Sequence, residues 1–290
     1  MALFIETILQ GLLTGSSYAL IAIGMAVIYN VSGMLNFAHG DFITLGMYAC
    51  LLMLLSLGIG PYVGLFIITP GFAILGALFY WGLIKPVQGK HMLMVIQLTL
   101  GLSFIIPNLI LFFFGSQEMV IHSAISADLI RVSSSFSLRL TSVIAGIVSL
   151  VLIAVLYLFI QRSDFGRAMR AIHQNLRGAA VCGINVNRVR TLTFALAFAI
   201  MGIAASVIGP TMPIVPGGGL NISVMAILVL ILGGLGSFYG TLIGGLIVGL
   251  SQSIGTVYVP GTLGLALPYI IFVLVLLFRP GGVLGQGQTA

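Results

Sequence analysis

Long apolar stretches, separated by short polar or proline-containing breaks, dominate the chain. They fall at 8–29, 35–57, 62–84, 92–114, 140–160 and 191–209, followed by a glycine-rich region at 222–256 and a last stretch at 262–278. A helix needs roughly 20 apolar residues to cross the hydrocarbon core of a bilayer. The pattern therefore predicts an all-α, polytopic transmembrane helical bundle of about eight to ten spans, some of them short or broken by glycine.

The composition excludes a soluble protein. Hydrophobic residues make up 60% of the chain and charged residues only 6%, whereas soluble domains carry about 25% charged residues. Met1 to Thr7 contain no lysine or arginine, so the first apolar stretch is predicted to be a retained span rather than a signal peptide. Residues 1–290 are interpreted as a single transmembrane domain whose only sizeable cytoplasmic loop is 161–190.

The basic residues predict the topology, because lysine and arginine in short loops favour the cytoplasmic side. Nine of the eleven fall in three places, after the third, fifth and last apolar stretches: Lys85, Lys90, Arg162, Arg167, Arg170, Arg177, Arg188, Arg190 and Arg279. These places share one side only if the region 222–256 crosses twice or re-enters, with an internal turn in "LGGLGSFYG" (Leu232 to Gly240). The prediction is about nine crossings with an external N-terminus.

The loop 161–190 holds the most informative polar sequence. At 100° per residue, a helix over Gly166–Val181 would gather Arg167, Arg170, Gln174 and Arg177 on one face and Met169, Ile172, Leu176 and Ala179 roughly opposite. Gly183 is a natural stop for such a helix. Two interpretations remain open: a helix lying on anionic lipid, or a docking helix that presents its apolar stripe to a groove on a cytoplasmic protein.

A second polar cluster, "NFAHGDF", interrupts the apolar sequence at 36–42. By the predicted topology it lies near the cytoplasmic end of the second span. It either caps the start of that helix, with Asn36 as the cap and Asp41 near the positive helix end, or Asn36 and His39 line or brace a pathway. The candidate pathway or gate residues are Asn36, Phe37, His39 and Asp41. The glycine-rich stretch near 233–240 is a weak echo of this interruption in the second half of the chain, and paired interruptions mark pathway sites in some transporters.

Glycines spaced four apart, Gly236, Gly240 and Gly244, predict a close approach of helix backbones. The contact is either internal packing, or a subunit interface or hinge beside the pathway.

The sequence gives little indication of nucleotide binding, catalysis, metal binding or nucleic-acid binding. No G-x-x-x-x-G-K-[ST] loop occurs, so ATP would have to be used by a partner. No constellation of catalytic residues is evident, and the spacing of Cys50 and Cys182 suggests neither a disulfide nor a metal site. The net charge of +6 is explained by topology rather than by nucleic acid.

Four motifs in order resemble the branched-chain amino acid permeases of bacterial ABC importers, a family that also takes up urea and amides. They are the stretches Gly15–Phe42, Gly183–Ala205, Leu232–Gly249 and Arg279–Gly285. In addition, "GRAMRAIHQNLRGAAVCGIN" resembles the cytoplasmic coupling loop of ABC importer permeases. It departs from the older form of that motif, because His173, Gln174 and Asn175 stand where an acidic residue is expected. The coupling residues implied are Arg167, Met169, Arg170, Ile172, Gln174, Asn175, Leu176, Arg177, Ala179 and Gly183.

The resemblance implies a permease subunit of an ATP-driven importer in the bacterial inner membrane. It would pair with a second, related permease chain or with its own copy, with two cytoplasmic ATPases and with an external solute-binding protein, and would bind no cofactor itself. Branched-chain amino acids are the expected solute, and urea or short amides the alternative. An ion-coupled secondary transporter would need titratable groups near the membrane midplane, where His39 and Asp41 are the candidates, and a passive channel would need no partner.

Overall fold

The computed structural model describes residues 1–88, 92–121, 129–133 and 136–284. Its helices are α1 Ala2–Ser32, α2 His39–Leu57, α3 Pro61–Phe79, α4 Lys85–Val87, α5 Met92–Phe114, α6 Leu140–Arg162, α7 Asp164–Gln174, α8 Leu176–Val181, α9 Val186–Ile208, α10 Gly219–Gly233, α11 Phe238–Tyr258 and α12 Leu263–Phe278. A π-helical turn, Tyr80–Ile84, joins α3 to α4, and 3-10 turns at Gly209–Thr211 and Pro216–Gly218 lie between α9 and α10. Strands β1 (Leu129–Ser133) and β2 (Phe136–Arg139) form an antiparallel hairpin with Leu129 opposite Arg139.

Eight helical segments within the described ranges are long and apolar enough to cross a membrane. A ninth, α12, has 16 residues and is about 24 Å long at 1.5 Å per residue. The predicted transmembrane helical bundle of about eight to ten spans is confirmed, and the chain is a multi-pass membrane protein.

Glycines allow the helices at the centre of the bundle to pack closely. Helix α1 packs along α11, where a β-carbon on Gly15 would lie 2.7 Å from the carbonyl oxygen of Gly245 and one on Gly11 would lie 2.9 Å from the Cα of Leu250. Backbones approach this closely only where side chains are missing. Helices α1 and α9 are mostly buried by their neighbours, whereas α3, α5 and α6 are mostly exposed and carry large apolar side chains on their outer faces, as suits contact with lipid or another apolar surface.

The turn between α10 and α11 follows the prediction for "LGGLGSFYG". Gly234 and Gly236 have φ of 105° and 87°, a conformation that favours glycine. A β-carbon on Gly236 would lie 3.0 Å from Oδ1 of Asn30, near the end of α1, and 3.8 Å from Nε2 of His173 in α7. The turn therefore lies on the side of the arginine-rich loop, as the charge pattern requires. Lys90, one of the charges used to predict topology, lies outside the described residues.

The C-terminal tail closes the end of α10. The amide of Val283 donates to the carbonyl of Leu232 at 2.8 Å, and the amide of Leu284 donates to Gly233 at 3.2 Å. The last carbonyls of a helix lack hydrogen-bond donors within the helix. Here the tail motif that begins at Arg279 supplies two such donors.

Candidate functional site

The arginine-rich segment between α6 and α9 is two helices, not the single helix predicted over Gly166–Val181. The backbone of Asn175 is extended, with φ of −154° and ψ of 102°, so α7 ends there and α8 begins after it. The side-chain oxygen of Asn175 accepts the amide of Gly178 at 2.9 Å, and Ser163 and Asn185 cap α7 and α9 in the same way. Gly183, with φ of 83°, follows α8 where the sequence predicts a stop.

The apolar stripe of this segment faces inward. Met169 and Ile172 are 3% and 4% exposed and, with Ala179, belong to the core of this chain. The prediction that the stripe docks in a groove of another protein therefore differs from the structure for these three residues. Only Leu176, 43% exposed, keeps an open apolar surface. The difference arises because the chain's own α1, α6 and α9 cover the stripe.

Arg170 also belongs to the inside of the segment. Its guanidinium donates to the carbonyls of Ile160 at 2.7 Å and Gln161 at 3.4 Å. These lie in the last turn of α6, where carbonyls lack helical partners and a cation is favourable. Arg170 thus ties α7 to the end of α6, and the predicted coupling residue acts as a brace rather than an outward contact.

The exposed surface of the segment that contains α7 and α8 is formed by its polar side chains and by the residues at the break between the two helices. Arg167, Gln174, Asn175, Leu176 and Arg177 are all exposed, together with Val181 and Cys182. Arg167 pairs with Asp164 one turn earlier, and Arg177 forms no ion pair in the described chain. We call these residues, from Arg167 to Cys182, the coupling surface. It is basic and polar with two exposed aliphatic side chains, Leu176 and Val181.

The intramembrane polar cluster lies deeper than predicted. Nε2 of His39 donates to the carbonyl of Ile21 at 3.0 Å, and Ile21 lies eleven residues before the end of α1 at Ser32. At 1.5 Å per residue this is about 16 Å along the helix, roughly half of a 30 Å hydrocarbon core. The cluster lies at the start of the second span, as predicted, but deeper than the end of α1, because residues 33–38 run back into the bundle before α2 begins at His39.

Two helices begin at this depth and meet. The amide of Gly40 donates to the hydroxyl of Ser223 at 2.7 Å, and that hydroxyl donates to the carbonyl of Phe37 at 2.8 Å. Ser223 lies in the first turns of α10. Asn36 caps the preceding turn, its Oδ1 accepting the amide of Ala38 at 3.1 Å, and Ala38 is the N-cap residue of α2. Asn36 thus closes a local turn just before α2; the N-cap position of the helix is Ala38, which has no side-chain cap.

Asp41 lies between the two helix beginnings. It is in the first turn of α2, and a β-carbon on Gly219, the first residue of α10, would lie 2.6 Å from its Cα. Its Oδ2 accepts the hydroxyl of Ser103 on α5. A helix N-terminus carries partial positive charge, so an acidic side chain is favourable beside two of them. This agrees with the interpretation of the sequence that placed Asp41 near the positive end of a helix.

Sequence reasoning missed Ser103, Gly219 and Ser223. The second interruption is not "GGLGSFYG", which forms a turn beside the arginine-rich loop, but the stretch 209–218 that precedes α10. Its prolines and the run Gly217–Gly219 were the available signal, hidden because no charge marks the region.

The glycines predicted to pack closely have two different roles. A β-carbon on Gly244 would lie 2.6 Å from the carbonyl of Val229, and one on Gly240 would collide with Gly233. Both positions lie on α11 against α10, inside this chain. Gly236 is instead a turn residue before α11 begins.

Comparison with known proteins extends the motifs to the whole chain. A family model described as "Branched-chain amino acid transport system / permease component" matches residues 7–276. The chain belongs to this permease family. Its members are permease subunits of ABC transporters, and the match covers every membrane helix described above.

Relatives align over nearly the full length of the permease. The high-affinity branched-chain amino acid transport system permease protein LivH of Escherichia coli (strain K12) is 30% identical over 99% of this chain and 97% of its own. BraD of Pseudomonas aeruginosa, described in the same words, has the same identity and coverage. A probable branched-chain amino acid transport permease protein LivH of Methanocaldococcus jannaschii is 29% identical over 97% of this chain and 92% of its own. No solved structure matches the permease.

Proposed function

We propose that this permease is the membrane subunit of an ATP-driven importer of branched-chain amino acids in a bacterial inner membrane. It would form the pathway with a second permease chain, be driven by two cytoplasmic ATPases and receive its solute from an external binding protein. The observation that carries the proposal is the end-to-end similarity to LivH and BraD, which are described as permeases for these amino acids.

The coupling surface has the construction that such a mechanism needs. Residues that would face an ATPase, such as Leu176 and Arg177, are exposed, while Met169 and Ile172 on the opposite face are buried in the bundle. Arg170 fastens α7 to α6 through the carbonyl of Ile160. A force applied to the outward face would therefore move α6 with it, since packed cores transmit displacement rather than absorb it.

The segment also touches the turn from which α10 leads into the bundle. His173 approaches Gly236 in the turn between α10 and α11, and Asn30 of α1 approaches the same glycine. Helix α10 leads from that turn directly to the junction at Gly219 and Asp41. Coupling surface, turn and intramembrane junction thus form one connected path through packed backbone, along which closure of the ATPases would be converted into a change of access.

Replacing an apolar and a basic residue of the coupling surface with acidic residues tests this function. We expect the double substitution Leu176→Asp, Arg177→Glu to abolish co-purification of the ATPases and to lower uptake of labelled leucine at least about tenfold, because a desolvated charge mismatch costs several kcal/mol at an interface. Arg279→Glu reverses one arginine, as Arg177→Glu does, on another element predicted to be cytoplasmic, and it should leave both nearly unchanged.

Three results would contradict the proposal. Normal leucine uptake in the double variant would show that the surface is not where ATP hydrolysis is coupled. Uptake of urea or acetamide, but not leucine, by the unaltered transporter would favour the alternative solutes. Uptake that continues without ATP and follows a proton gradient would favour a secondary transporter.

A further inference from the structure

A line of polar side chains follows the contact between α2 and α5. Asp41, Thr44 and Tyr48 are three and seven positions apart on α2, so they share one face. On α5, Ser103 faces Asp41, and Thr99 lies one turn earlier on the same side of the helix. Ser103 donates to Asp41, and further out the ring of Tyr48 meets that of Phe114 with 4.6 Å between centroids. We call this contact the α2–α5 seam.

Several polar groups on this seam are buried without a partner. Oγ1 of Thr44 and the hydroxyl of Tyr48 form no hydrogen bond, in residues 2% and 1% exposed. Oδ1 of Asp41 is also unpaired, in a residue 1% exposed, but it lies at the edge of the seam, beside Gly219 of α10. Nδ2 of Asn36, at the cytoplasmic end of the same line, is also unpaired in a residue 3% exposed. The other such atoms of the described chain are Nδ1 of His39, whose ring contacts α1, and atoms spread over α3, α6, α9 and α11.

Unpaired polar groups are unfavourable in a closed, dry contact, because burial removes their hydrogen bonds to water. Valine and phenylalanine would fill the places of Thr44 and Tyr48 without that cost. A line of such groups along one helix contact is therefore explained best if the contact opens in another state, where water and solute supply the missing hydrogen bonds.

Helix α5 is built so that it can leave this contact. Pro107 lies inside α5 and has no N–H, so the carbonyl of Ser103, four residues earlier, loses its helical donor. A proline inside a helix is a common site of kinking. The weak point thus coincides with the hydrogen bond between Ser103 and Asp41. The outer face of α5 is unpacked within this chain, with Phe104, Phe112 and Phe113 all more than 70% exposed.

The seam continues into a cleft on the cytoplasmic side. Asn36 and Thr99 both line it, together with Ile28 and Ser32 from the last turns of α1. From this cleft the polar line runs past Asp41 and Ser103 to Tyr48 and Phe114, close to the end of α5. It therefore covers most of the thickness of the bundle.

We propose that the α2–α5 seam is this chain's part of the solute route that it forms with the second permease chain, closed in this structure and opened when α5 bends at Pro107. Thr44, Tyr48 and Asn36 then offer hydrogen-bond donors to the carboxylate of an amino acid, and Asp41 offers an acceptor to its ammonium group. The inference rests on the proposed function as an importer and assigns its route to particular side chains, including Thr44, Tyr48 and Ser103.

Removing the hydroxyls tests the route. In cells that produce the complete transporter, the double variant Thr44→Val, Tyr48→Phe should take up labelled leucine about tenfold more slowly, the effect of losing one or two hydrogen bonds to the solute. Its melting temperature should stay the same or rise, since unpaired buried hydroxyls are lost. Ser149→Ala is the control, because Ser149 is also buried and unpaired but lies on α6. Unchanged uptake in the double variant would overturn the proposal.

Accessibility gives a second readout that does not depend on the level of activity. With Cys50 and Cys182 kept, and the reaction of the parent protein subtracted, the thiol of Thr44→Cys should react with a small water-soluble methanethiosulfonate several-fold faster during ATP-driven turnover than at rest. Ser149→Cys should not respond to turnover. Equal, slow reaction of both thiols during turnover would overturn the route, whereas absence of leucine uptake by the unaltered transporter would overturn the proposed function instead.

Discussion

Gly40 and Gly219 are the residues on which the intramembrane junction depends. Each lies at the beginning of a helix, and each faces the backbone of the other helix at a distance that leaves no room for a β-carbon. The hydrogen bonds of Ser223 to Gly40 and Phe37 become possible only because of this approach. The identity of these two residues is thus set by a contact between segments nearly two hundred positions apart, which no local pattern reveals.

A methyl group at this junction should therefore be poorly tolerated. In Gly40→Ala the added carbon would lie 2.5 Å from the amide nitrogen of Ser223, and we expect destabilisation by about 1–3 kcal/mol, as for other overpacked sites. The melting temperature of the purified protein measures it. Gly71→Ala is the matched control, because no atom lies within 4 Å of the added carbon and alanine favours a helix by up to about 1 kcal/mol. Equal melting temperatures in the two variants would refute the packing argument.

At the scale of the element, sequence periodicity predicts correctly which side of a helix is buried, but it does not predict where a helix is interrupted. The predicted faces of the cytoplasmic segment were correct for Met169 and Ile172, which point away from Arg167. The break at Asn175 could not be predicted, because the side chains on both sides of it keep the period of one continuous helix. The same limit explains the depth of α2: apolar residues before His39 have the same hydropathy whether they continue a span or turn back into the bundle.

The hydrogen bond at the break between α7 and α8 leads to a prediction about the stability of the first turn of α8. Replacing Asn175 with alanine removes the acceptor for the amide of Gly178 and should cost about 1 kcal/mol at the start of α8, whereas Asn175→Asp keeps an acceptor. Hydrogen exchange followed by mass spectrometry should show amides at 176–179 exchanging about fivefold faster in the alanine variant, by the usual conversion of free energy to a ratio. If both variants exchange alike, the side chain of Asn175 does not hold the start of α8.

At the scale of the whole molecule, composition and charge predicted most of the architecture. The number of spans follows from apolar length, and the shared side of the arginine loop and the α10–α11 turn follows from the basic residues. Which faces touch lipid, a partner or the chain itself does not follow, because leucine and phenylalanine suit all three surroundings. Arg170 shows the same limit for charge, since its bond to Ile160 makes it internal while Arg177, on the same predicted face, remains exposed.

The exposed thiol of Cys182 has a practical consequence. The chain has two cysteines, of which Cys50 is buried and Cys182 ends α8 on the coupling surface. The native protein thus carries a single natural attachment point for a fluorescent maleimide. In membrane vesicles we expect the dye to react at least about tenfold more slowly when bound ATPases shield that sulfur, because thiol reactivity requires access. Removing the peripheral subunits from the vesicles should restore fast labelling of Cys182. Equal labelling rates with and without the ATPases would mean that the ATPases bind the permease elsewhere.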